Sequence, residues 1–479
     1  MFRFVLKSIT GILAAGLVVL CIWRFVLERG HVGPPTIGPA TTWVSGPLRA
    51  DGYVDYFAAS NEIRAKGISP HESAAIDLLR AIGRIDSNVE FLAQQWSILT
   101  ADVPTEDSDQ YKLPQTLLYL EPPEEIWDQL QDAERRPWTA EEFPGVSHWI
   151  DSNAGALQLI QRASGKSKFW LPMVPDPDYE PTLYNGAKGI GYLPALARCV
   201  QTLAMRLLAE NRVKECQDAL FAVRRLAALI EQRADTVQYV QAMKIGANVF
   251  EAESQMIQSS LNLKQLDRYC ELLSSLGDYS LPPETISTHN RLEMLSAVQF
   301  MHTESRGGFD IDVSMRIVNE YQDHLHAILA QTDDGTSAAW LNELYDRLST
   351  VDGDHSTAQI VFGGRRTRAR GIGTKMINLT KMINLLAPSI THQRDTLTGC
   401  RVRRDLIRTG IAIQMFRLAN HRLPKQLSEL VPEYLDEIPL DEFTDSQPFR
   451  YSQTQNSCQL MSVGNGEWPE SEQGIVLEM

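Results

Sequence analysis

The chain has 479 residues, 43% hydrophobic and 22% charged, with a formal net charge of -15 at pH 7. That length and apolar content suit two or three domains, each with its own core, and exclude a disordered tail. The excess of carboxylates repels phosphate and excludes nucleic acid as the main partner.

Arg3 and Lys7 precede the run SITGILAAGLVVLCIW (Ser8 to Trp23), which Phe25, Val26 and Leu27 extend past a single Arg24. About 20 helical residues span a hydrocarbon core, and an arginine near the end can snorkel to the surface. Leu20 stands where a lipoprotein signal needs a small residue before Cys21. Leu27-Glu28-Arg29 lacks the small residues of a cleavage site, and Gly38-Pro39-Ala40 carries proline inside it. Residues 1–29 therefore read as an uncleaved anchor in preference to a signal peptide. Arg3 and Lys7 are expected on the cytoplasmic side of the membrane, with the bulk of the chain outside the cytoplasm. Five cysteines follow the anchor: Cys199, Cys216, Cys270, Cys400 and Cys458. The number is odd and no C-x-x-C pair occurs, so buried thiols are expected in place of a disulfide framework or zinc ribbon.

The Pro/Gly/Thr-rich stretch GHVGPPTIGPATTWVSGP (Gly30 to Pro47) predicts a stalk over residues 30–50. Residues 51–190 read as a mixed helical, aromatic-rich region. Ser69-Pro70-His71-Glu72 has the form of a capping box, predicting a helix through SAAIDLLRAIG, and Thr139 to Glu142 predicts the start of another short one. Trp96, Trp127, Trp138, Trp149 and Trp170 fall among many prolines and glycines. They predict aromatic filling between irregular segments in preference to a binding cleft.

Residues 191–390 read as a helical superhelix. LPALARCVQTLAMRLLAENRVKECQDALFAVRRLAALI predicts a helical hairpin that turns at Asn211, which tolerates the left-handed conformation. VQAMKIGANVFEAESQMIQSS and LKQLDRYCELLSSLG supply a second pair. The spacing is not a strict 34 residues, so the expectation is an irregular α-α superhelix of tetratricopeptide-like hairpins, offering a groove to a protein partner. Further helices are predicted over Pro283 to Ser305, Ile311 to Thr332 and Ala338 to Leu348.

The motifs H-E-x-x-H, G-x-S-x-G, P-loop and dinucleotide fingerprint do not occur. His289, Glu293 and Glu304 fall within about 60° of one another on one helix face, while His302 lies opposite and His324 and His326 diverge by about 160°. Solvated helix surface explains these residues, so no metal or other cofactor is assigned. Charge is uneven: Ala101 to Glu142 holds twelve acidic residues against Lys112, Arg135 and Arg136, whereas Gly363 to Arg404 holds ten basic residues against Asp395. The basic stretch contains a tandem TKMINL whose Met376, Leu379, Ile383 and Leu386 form a stripe, read as a core-facing helix in preference to a membrane-surface one.

In residues 391–479, RVRRDLIRTGIAIQMFRLAN (Arg401 to Asn420) places Ile407, Ile411, Ile413, Met415 and Leu418 mostly on one helical stripe, and His421-Arg422-Leu423-Pro424 stops it. The loop LSELVPEYLDEIPLDEF and two strands follow, over Gln447 to Ser452 and Cys458 to Val463. Phe449 and Tyr451 should face inward and Arg450 outward.

This order of helix, stop, loop and strands resembles the globular half of type II secretion pseudopilins and a set of uncharacterised bacterial membrane proteins. The resemblance implies a small α+β fold for roughly residues 395 to 466, packed as a separate unit. It does not extend to pseudopilin processing, because FRFVLKSITGILAAG lacks the glycine cleavage site and the following glutamate. Nor does it extend to the aspartate-rich calcium loop, since the tail supplies Asn465, Glu467, Glu470 and Glu472 but no aspartate. The whole is expected to be mainly α: anchor, stalk, superhelix and C-terminal α+β module, acting as an interaction or scaffold protein. The rival readings are an envelope hydrolase using Glu141, Glu142 and Asp151, and a secretion-system accessory subunit.

Overall fold

The computed structural model describes residues 33–82, 89–100, 124–175, 193–234, 236–276, 283–304, 310–329, 398–444, 447–455, 457–464 and 474–478. The chain is mainly helical, with a small sheet portion. The predicted anchor, Gly83, the TKMINL repeat, the basic stretch up to residue 397 and the predicted helix Ala338 to Leu348 lie outside the described residues. By contact the chain divides into two units, one of residues 1–60, 177–183 and 287–390, the other of 61–176, 184–286 and 391–479.

In the first unit, residues 33–55 lead into α1 (Tyr56–Ala65), which crosses into the second unit. The two helices that follow later are α12 (Pro283–Glu304, first unit from Ser287 onward) and α13 (Ile311–Leu329). Leu292, Met294, Leu295, Ala297 and Val298 of α12 are buried, and so are its Ser287, His289, Asn290, Arg291, Glu293, Gln299 and His302. The surface helix expected for His289 and Glu293 is thus corrected to a core helix. An even mixture of polar and apolar residues around the axis gives no stripe from which burial can be read.

The second unit begins with the capping box. Ser69 and Glu72 form it, yet it caps only the single 3-10 turn Pro70–Glu72. Ser73 then runs extended, bridged to Lys168, and its Oγ accepts from the Ala75 N–H at 3.2 Å to open α2 (Ala75–Ile82). Next come α3 (Val89–Thr100), α4 (Glu124–Arg135), α5 (Pro144–Ser152) and α6 (Ala154–Ser164). Thr139 to Glu142 forms a turn closed by Glu142 N–H to Thr139 O at 3.0 Å, and Phe143 precedes the helix itself. Trp96, Trp138 and Trp170 are buried, Trp127 and Trp149 pack against the same core, and Trp138 Nε1 donates to Thr202 O at 3.1 Å.

The hairpin is as expected: α7 (Leu193–Ala209) and α8 (Val213–Glu231) join through Asn211, whose φ is 57°. The second pair is finer than predicted. Its first helix divides into α9 (Thr236–Asn248) and α10 (Phe250–Gln258), and α11 (Leu263–Ser274) opens on a capping box of Asn262 and Gln265.

The last helix, α14 (398–420), is followed by β1 (Leu440–Asp441), β2 (Gln447–Pro448), β3 (Arg450–Gln453), β4 (Ser457–Met461) and β5 (Gly474–Glu478). β1 pairs with β2, and β3-β4-β5 form an antiparallel sheet. The predicted Gln447 to Ser452 strand breaks at Phe449, which is buried, while Arg450 is exposed as expected. β5 is a strand beyond the two that the sequence predicts. Its Ile475 and Leu477 oppose Leu460 and Cys458, all four buried, and Val476 turns outward. Buried residues from Ala74 to Leu477 form one core that contains the α14 side chains. A Cβ at Gly410 would sit 3.1 Å from Ile475 and 3.9 Å from Ile257, which places α14 between β5 and α10. The C-terminal helix and sheet therefore do not close a core by themselves.

Candidate functional site

Among the described residues no group of three His, Cys, Asp or Glu side chains is placed to hold a metal ion. His289 and Glu293 lie one turn apart and buried in α12, and the side chain of Glu304 lies outside the described residues. His302 is paired elsewhere, and His326 meets Ser287 Oγ at 3.1 Å. The three carboxylates of the hydrolase reading stand on the surface. Glu142 pairs with Arg136 at 2.5 Å and Asp151 with Arg206 at 2.9 Å. The first pair lies within the loop between α4 and α5 and the second ties α5 to α7; exposed as they are, neither leaves a carboxylate in a dry site.

Two polar arrangements stand outside the expectations drawn from the sequence. In the second unit, Arg224 of α8 makes a two-pronged pair with Glu253 of α10, Nε to Oε1 at 3.0 Å and Nη2 to Oε2 at 2.5 Å, and Tyr269 of α11 donates to Oε1 at 2.6 Å. All three side chains are buried. With its oxygens occupied, Glu253 is a fixed joint between three helices and is not a free base. Glu231, two turns along α8 from Arg224, is different. Burial pushes its carboxyl up to about 8, the charge of Arg224 acting in the opposite direction, and its Oε1 has no hydrogen-bond partner among the described residues.

The other arrangement is the segment 33–55, which takes in most of the stalk expected over residues 30–50. It is strapped onto α12 and α13 of its own unit. Thr36 donates from its N–H and Oγ1 to the two carboxylate oxygens of Asp312, at 2.8 and 2.6 Å. Asn319 Nδ2 donates to Ala40 O at 3.1 Å and Thr41 O at 2.8 Å, and Gln299 Nε2 donates to Val54 O at 2.8 Å. Tyr56 OH donates to Thr42 O at 3.1 Å. Tyr53 OH donates to Gly33 O at 3.0 Å, so at 3.1 Å from His302 Nδ1 it accepts the imidazole N–H. The Arg291 guanidinium lies 5.2 Å from the Trp43 ring centroid. Gly52, at φ 85°, lets the turn after Leu48 close on Pro34, 3.2 Å from where a Cβ would stand. Composition points to a linker over residues 30–50; the signal against it is Trp43, a large apolar ring in what would be a solvated stalk.

Comparison with protein-family models, with curated proteins and with solved structures gave no match.

Proposed function

We propose that this protein is a single-pass, extracytoplasmic scaffold of the bacterial inner membrane that binds a protein partner through its stacked helices. One observation carries the reading: the membrane-length apolar run ending at Leu27 is followed within six residues by a segment built into a folded unit. The packing of α8 against α7, α9 and α11 supports an irregular superhelix with a groove for a partner, and the order α14, turn, strands supports a pseudopilin-like C-terminal fold. The surface positions of Glu141, Glu142 and Asp151 favour the scaffold over the hydrolase. Among the described residues no helix is long and apolar enough to cross a membrane, so the span rests on residues 8–27. The test is alkaline extraction of membranes with intact-mass measurement. The expected result is a membrane-retained chain that still carries Met1 or Phe2; release into the soluble fraction, or a mature terminus after Ala40, overturns it.

A further inference from the structure

The strap fixes which end of the first unit meets the membrane. Six residue steps separate Leu27 from Gly33, and even a fully extended chain covers only about 20 Å over that distance. Gly33 is not free to wander from the fold. Its carbonyl is held by Tyr53, which is held in turn by His302 near the C-terminal end of α12, and Thr36 is clipped to Asp312 at the N-terminal end of α13. The two helices run antiparallel, with Arg291 paired to Asp323 and Ser287 beside His326 along their length. The connected ends of α12 and α13 are therefore also the end from which the chain leaves toward residue 27.

A second observation points to the same end. The first unit has two large hydrophobic side chains strongly exposed among the described residues, Leu48 at 51% and Val313 at 46%. Val313 follows Asp312 directly. Leu48 opens the turn bridged to Val54, and that turn closes on Pro34. Arg49 lies in it too, paired with Asp51 at 2.8 Å and 5.5 Å from the Tyr53 ring centroid. An aliphatic side chain beside an arginine and a tyrosine suits the headgroup layer, where apolar groups sink and charged or aromatic ones stay at the polar boundary.

We propose that the surface of the first unit formed by Gly33–Thr36, Leu48 and Val313 rests against the lipid headgroups, with α12 and α13 rising away from the bilayer. The inference rests on the anchor reading above and adds an orientation to it. Val313 and Glu320 are seven residues apart, on nearly the same face of α13 and about 10 Å apart along its axis. The full chain is reconstituted into phosphatidylethanolamine/phosphatidylglycerol vesicles carrying a headgroup spin label, with a fluorescent amino acid incorporated at position 48, 313 or 320. Quenching at 48 and 313 should exceed that at 320 by roughly twofold, given the 10 Å step. Equal or inverted quenching in chain that floats with the vesicles overturns the orientation alone; failure to float overturns the anchor reading and the orientation with it. A long Gly/Ser spacer inserted after Gly30 should erase the gradient, and a gradient that survives the spacer overturns the short tether as its cause.

Discussion

Glu231 and Arg224 share a helix and differ in what the core does with their charge. In an unfolded chain the Glu231 carboxyl has its ordinary value of 4.5; burial in the fold lifts it to about 8, against the pull of Arg224. Folding therefore holds a proton that the unfolded chain releases between those values. The stabilisation is complete below the unfolded value and is lost as pH rises through the folded one. Glu231→Gln keeps the neutral shape and removes the titration. Urea midpoints of the two proteins should coincide near pH 5 and separate toward pH 8, with the variant the more stable. Parallel curves would show that Glu231 is not the group carried protonated. Arg224 behaves in the opposite way, because its charge is matched by Glu253. Arg224→Ala should cost about 3 to 5 kcal/mol by stranding that carboxylate, while Arg224→Met combined with Glu253→Leu should recover most of the loss. Chemical denaturation of the three variants checks this, and a double variant no better than the single would mean that stranding Glu253 is not the source of the loss.

At the level of elements, what the sequence revealed and what it hid divide along physical lines. The α7–α8 hairpin was legible because each helix carries a continuous apolar stripe and Asn211 supplies the left-handed turn. Leu207 is buried on that stripe, so Leu207→Ala should cost about 2 to 5 kcal/mol in a thermal or urea melt. A loss under about half a kcal/mol would put the residue at the surface. The strap was hidden because three of its hydrogen bonds run from Gln299 and Asn319 side chains to its carbonyls at Val54, Ala40 and Thr41, and backbone groups leave no trace in composition. The polar seam of α12 was hidden because local periodicity reports one buried face, not two. β5 was hidden because five residues are too few for alternation to stand out, although Ile475 and Leu477 do alternate around Val476. Gly474 fixes where that strand lands. A Cβ there would collide with the Leu460 carbonyl and the Met461 sulfur, so Gly474→Ala should push β5 off β4 and cost roughly 1 to 3 kcal/mol. Hydrogen exchange on the amides of Ile475 to Leu477 reads this directly, and unchanged protection would mean that β4 yields instead.

For the molecule, the decisive feature is that α14 and its sheet share a core with the second unit's helices. Cys400 donates its thiol to Met243 O at 3.6 Å and Gln414 Nε2 donates to Ile257 O at 3.1 Å, so α14 is hydrogen-bonded to α9 and α10 as well as packed on β5. A C-terminal module with its own core would confine damage; a shared core propagates it, because side chains on either side of α14 lose packing partners together. Phe449 is buried in that core at the break between β2 and β3, and Arg450 beside it is exposed. Phe449→Asp places an unpaired carboxylate among apolar side chains and should lower the unfolding midpoint of α7 to α11 along with that of α14, while Arg450→Asp should change little. Hydrogen exchange resolved by segment is the measurement. Protection in α8 and α14 should fall by the same factor in Phe449→Asp, since both report one opening of the unit. If α14 and the strands open while α8 keeps its full protection, the C-terminal elements melt as a separate body and the continuity of the core does not govern the cooperativity of folding.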